Sequence, residues 1–119
     1  MSTREIPPIE WSDFAAAFSR RHEGSLVSLY SDNEAGSPDC IGREVVLRRV
    51  SAETEVRPPA VVVSVDGGVG RHLSHAISKP VQIVIEEDES GTEVALTIAS
   101  EFGQRFTIEL STVIHEAFT

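Results

Sequence analysis

His72 and His75 are the side chains in this sequence best suited to acid–base or ligand chemistry. An imidazole changes charge near neutral pH and can act as a general base, a ligand or a hydrogen-bonding group. Their spacing decides what they can do together. Successive side chains on a strand point to opposite faces, so a separation of three sends these two rings to opposite sides. The same spacing on a helical turn would bring them together, but His72-Leu73-Ser74-His75-Ala76-Ile77 reads as extended. His75 shares a face with Leu73 and Ile77. That placement suits a hydrogen-bonded histidine on the inner face of a sheet or, alternatively, a binding group or general base in the mouth of a barrel.

Other combinations fail their own requirements. Glu86-Glu87-Asp88-Glu89, with Glu93 across a turn, gathers five carboxylates at one hairpin tip. Oxygen ligands of this kind suit a divalent cation, but the spacing is not that of an EF-hand, and charge at strand ends protects against edge-to-edge pairing. Gly67-Gly68-Val69-Gly70 has the composition of a phosphate loop. Such a loop needs a helix N-terminus after the glycines, and Arg71-His72-Leu73 reads as strand. Cys40 would need a His or Arg brought near by the fold to act as a nucleophile, so a passive thiol is expected. No Gly-x-Ser-x-Gly elbow occurs, and neither His22-Glu23 nor His115-Glu116 has the second histidine of a zinc-protease motif. The expectation is therefore no catalytic set, no metal site and no cofactor, with His72 and His75 as the candidate binding residues.

The composition narrows the partners. Ten Lys and Arg against nineteen Asp and Glu give a formal net charge of −9, which opposes binding to nucleic acid and to anionic membrane surfaces. The longest apolar runs, such as Ala60 to Val63, fall far short of the ~20 residues a membrane helix needs. The opening residues carry no apolar stretch of the secretory kind, and a single cysteine suits a reducing compartment, so a cytoplasmic setting is expected. With 119 residues the chain has the length of a single domain spanning 1–119.

The elements that would position these residues follow from periodicity. Trp11, Phe14, Ala15, Phe18 and His22 recur at helical spacing, which predicts an amphipathic helix over 9–23. Pro7 and Pro8 stop it upstream, Gly24 stops it downstream, and Arg20 and Arg21 sit in the last turn, where the dipole favours cations. After Gly24 the period becomes two. Strands are predicted over 26–31, 44–50, 60–66, 71–77, 81–86, 93–99 and 105–110, with turn-rich loops over 32–39 and 66–70, Pro58-Pro59 barring a central strand between 50 and 60, and a mobile tail over 111–119. No crossover helix separates the strands, so the sheet is antiparallel. One helix cannot cover a flat sheet of about seven strands, which predicts an α+β fold strongly curved or closed into a small β-barrel.

The blocks Thr3-Arg4-Glu5-Ile6-Pro7, Trp11 with Phe14 and Phe18, Arg21-His22-Glu23-Gly24, Arg43-Glu44-Val45-Val46-Leu47 with Val50-Ser51-Ala52, and His72-Leu73-Ser74-His75-Ala76-Ile77 follow one another in fixed order. In these blocks the chain resembles, over nearly its whole length, a bacterial family catalogued only as a domain of unknown function. Ser25 stands where members of that family carry Trp. The resemblance implies no activity, substrate or catalytic residue.

With no assembled chemistry, the expected function is non-enzymatic binding of a protein partner or a second copy through a sheet edge or barrel mouth. Val46 and Val62 support it by placing apolar groups opposite the inward face of their strands. The alternative is a small-molecule site or enzyme with His75 in a barrel-mouth pocket.

Overall fold

Proline shapes the entry to the helix. Neither Pro7 nor Pro8 can donate a backbone hydrogen bond, so the chain tightens first into a 3-10 turn, Pro8–Glu10, before the α-helix α1, Trp11–His22. The Trp11 indole Nε1–H donates to the Ile6 carbonyl at 2.8 Å and fixes the angle at which the helix leaves the preceding segment. Trp11, Ala15 and Phe18 are buried, Phe14 stacks on Phe18, and the His22 ring lies 4.6 Å from that of Phe18. At the far end Gly24 takes φ +89°, a left-handed conformation that costs glycine little and other residues much.

The computed structural model describes residues 2–32, 39–67 and 71–111. They contain eight strands: β1 (Ser2–Glu5) before the helix, then β2 (Leu26–Asp32), β3 (Asp39–Glu53), β4 (Ala60–Asp66), β5 (His72–Ser78), β6 (Pro80–Glu87), β7 (Glu93–Ser100) and β8 (Arg105–Leu110). All join one antiparallel sheet in the order β1-β6-β7-β8-β2-β3-β4-β5. One face carries the core, from Val27 and Leu29 through Val61, Val63 and Val65 to Ile85, Leu96, Ile98 and Ile108. Val46 and Val62 are half-buried on the other face. Residues 1, 33–38, 68–70 and 112–119, on which most of the expected loop over 32–39, the expected glycine-rich turn and the expected mobile tail fall, lie outside the described residues. No helix among the described residues is long and apolar enough to cross a membrane.

The sheet is open, which corrects the expectation of strong curvature or closure into a barrel. The reason lies in β1, a strand that the sequence pattern does not reveal. Closure of the seven later strands would require β6 to offer its outer side to β5. That side is taken by β1, in the register Ser2↔Glu87 to Glu5↔Val84, and the pairing continues as the Ile6 N–H donates to the Ile83 carbonyl at 2.8 Å. Among the described residues β1 and β5 are left as the two edges.

A bulge and the helix together explain how β3 is accommodated. β2 accompanies β3 only as far as Leu26↔Val46, so beyond Leu47 that side of β3 has no strand neighbour among the described residues. The helix and its cap supply the missing bonds. Gly24 N–H donates to the Leu47 carbonyl and Leu47 N–H to the Ser25 carbonyl, at 2.8 and 2.9 Å. The Ser19 hydroxyl donates to the Val50 carbonyl and accepts from the Val50 N–H, both at 2.8 Å, and the Ser12 hydroxyl donates to the Ala52 carbonyl at 3.2 Å. Buried backbone groups demand partners, and here short side chains of a helix take the place of a strand.

Candidate functional site

The geometry that most resembles a binding site lies along β5. The bonds flanking this strand fix which of its backbone groups are free. Lys79 N–H donates to the Pro59 carbonyl and Gly67 N–H to the Arg71 carbonyl. Bonded and non-bonded pairs alternate in an antiparallel ladder. Leu73↔Val65, His75↔Val63 and Ile77↔Val61 therefore exchange hydrogen bonds, while His72, Ser74 and Ala76 direct their N–H and C=O groups away from β4.

The same strand rises off the core along its length. On its inner face Ile77 is 8% exposed, His75 is half-buried and Leu73 is 42% exposed. At its end the single residue Lys79, at φ +52°, turns the chain directly into β6, and the Glu101 N–H donates to the Lys79 carbonyl at 2.9 Å. One end of β5 is thus anchored at this corner and the other stands clear. Between them opens a cleft of about 270 Å3, lined by Ser31, Ile41, His75, Ile77, Arg105 and Phe106 among others.

His75 and His72 are not brought together. His75 lies on the inner face with its ring 5.7 Å from that of Phe106, and it lines the cleft. No carboxylate of the described residues lines that cleft with it, so the arrangement offers no acid–base pair. His72 points to the other face, where its Nδ1 lies 3.0 Å from Asp66 Oδ1 and Arg48 Nε lies 3.3 Å from Asp66 Oδ2.

The acidic run divides in two. Asp88 Oδ1 accepts from the Ser90 N–H, the Ser90 hydroxyl and the Thr92 N–H at 2.8–3.0 Å, which spends its oxygen on closing the hairpin. The Ser90 hydroxyl first, and then the Thr92 N–H, hold the Asp88 carboxyl below its usual range. Glu93 leaves the cluster altogether. Its Oε2 meets Arg21 Nη2 at 2.8 Å, and its Oε1 meets Arg21 Nε at 3.1 Å and His22 Nε2 at 2.6 Å. Burial alone would raise the Glu93 carboxyl, but the bonds from His22 and Arg21, with their charge, outweigh it and hold the group below its usual range. This clamp pins the helix to β7. Sequence reasoning leaves Glu93 among solvated carboxylates, and no local signal joins it to partners more than seventy residues away. Among the described residues no three or more of His, Cys, Asp and Glu gather where they could hold a metal ion.

No family model matches the chain, and no curated protein or solved structure matches it either.

Proposed function

We propose that this chain is a binding module that receives an extended segment of a protein partner along the β5 edge. The observation that carries the proposal is the character of that edge. Exposed edge strands are normally protected by charge, proline or extreme shortness. β5 runs for 7 residues with no Asp, Glu, Lys, Arg or Pro, in a chain of which 24% is charged. The opposite edge, β1, has 4 residues, two of them Arg4 and Glu5. Strand addition at β5 would use the outward backbone groups of His72, Ser74 and Ala76 for affinity. The cleft beside them, with Ile41 and Phe106 as apolar walls and His75 and Arg105 as polar ones, would take a side chain for specificity. A reducing, cytoplasmic setting suits the exposed free Cys40.

A small-molecule site or enzyme centred on His75 is the weaker reading, because no carboxylate of the described residues lines the cleft with it. The test is selection from a displayed peptide library against the full chain, followed by Ser74→Pro. Proline there removes an outward N–H and no ladder bond, so the protein folds and the selected peptides lose binding. Failure to select any peptide, or binding indifferent to Ser74→Pro, would sink the proposal. A dimer in light scattering that Ser74→Pro dissolves would identify the occupant as a second copy.

A further inference from the structure

We propose a second, separate site: the groove between α1 and β3 binds the phosphate group of a small phosphate monoester. It begins with the bulge in β3. Strict alternation would send Arg49 inward with Leu47. Instead Leu47 pairs with Val65 and Arg49 with Ser64, so Arg48 is an extra residue in β3, and both arginines face outward while Val50 returns to the core. The helix brings a third cation to the same place, because Arg20 lies in its last turn and α1 packs along β3 through Ser12 and Ser19. Arg20, Arg48 and Arg49 line one groove of about 440 Å3, together with Ser51 and Glu23.

The chemistry of the ligand follows from that lining. Arg48 already shares Asp66, at 3.3 Å, whereas Arg20 and Arg49 make no ion pair among the described residues. A guanidinium presents parallel N–H donors that match the oxygens of a phosphate or carboxylate. Two such groups free and a third nearby favour a dianion over a single carboxylate. Glu23 on the same rim opposes a polyphosphate, and the net charge of −9 opposes a nucleic acid. The volume is that of a small-molecule site, so the phosphate belongs to a compact molecule whose hydroxyl or ester oxygens can reach Ser51.

The test is an NMR titration of the labelled full chain with inorganic phosphate and with phenyl phosphate, at constant ionic strength held by chloride. Saturable amide shifts confined to 19–23 and 48–52 are expected at millimolar concentration or below. Arg20→Gln with Arg49→Gln should raise Kd about tenfold or more, equivalent to about 1.4 kcal/mol, with the melting temperature lowered by no more than the small loss of the Arg20 charge at the helix end, because both side chains are exposed and make no ion pair among the described residues. Succinate should bind more weakly than phosphate. Shifts that do not saturate, that persist in the double variant, or that succinate reproduces at equal concentration would each overturn the proposal. None of these outcomes involves β5, so this site and the peptide edge stand or fall separately.

Discussion

The Ser19 hydroxyl satisfies both backbone groups of Val50 at once, and among the described residues no strand is there to replace it. Ser19→Ala removes one oxygen and leaves a donor and an acceptor of β3 without partners in a half-buried position. A stranded buried polar group costs about 1–3 kcal/mol, so the urea midpoint of this variant should fall accordingly while the slope stays constant. Glu93 carries a different kind of prediction, because its contribution depends on pH. A carboxyl whose pKa is lower in the folded chain than in the unfolded one stabilises the fold above its unfolded value. That contribution is lost as pH falls through the folded value. For Glu93, held low by His22 and Arg21, the loss begins below the ordinary glutamate value of about 4.5. Glu93→Gln should therefore cost about 1–3 kcal/mol at pH 7, and the gap between it and the parent chain should close on acidification towards pH 3. Urea titrations at the two pH values read the difference directly. A constant gap would mean that the clamp acts by shape and not by charge.

At the scale of the element, α1 behaves as a surrogate strand as much as a core helix, and its cap sets where it lies. Gly24 has no neighbour within 4 Å of where a Cβ would stand, so Gly24→Ala meets no clash and pays only for its φ of +89°. The expected loss is about 1–2 kcal/mol, with Gly24→Asn losing less, measured as melting temperatures. This helix was largely legible from its apolar period, its prolines and Gly24, although Ile9 and Glu10, expected as α-helix, belong to the 3-10 turn Pro8–Glu10. β1 was not legible, because Ser2–Glu5 is exposed throughout and pairs by backbone alone, leaving no side-chain alternation to read. β3 was half legible. Its bulges, opposite β2 and at Arg48, interrupt the period of two, so the pattern showed 44–50 of a strand that runs Asp39–Glu53. The site divides in the same way. Alternation places His72 and His75 on opposite faces, but the cleft beside His75 depends on β8 and β2 lying opposite β5, and strand order is not written in local pattern.

At the scale of the whole molecule, the open order of the sheet makes its strands unequal. β2 and β8 are central, each bonded on both sides, whereas β5 is bonded on one. Amide exchange should report this inequality residue by residue, since protection follows the hydrogen bond that each N–H makes. Along β5 the amides of Leu73, His75 and Ile77, bonded into β4, should exchange slowly, and those of His72, Ser74 and Ala76 should exchange fast. In β2 and β8 no such alternation should appear, because the amides that point away from one neighbour point into the other. The contrast separates two states of the edge that a melting curve at one protein concentration cannot tell apart. A free edge gives alternating protection at every protein concentration. An edge paired with a second copy gives uniform protection along β5 that becomes alternating on dilution, because the pairing is bimolecular. Uniform protection that survives dilution would mean that the edge is covered within the chain itself, and strand addition at β5 would then have no surface to use.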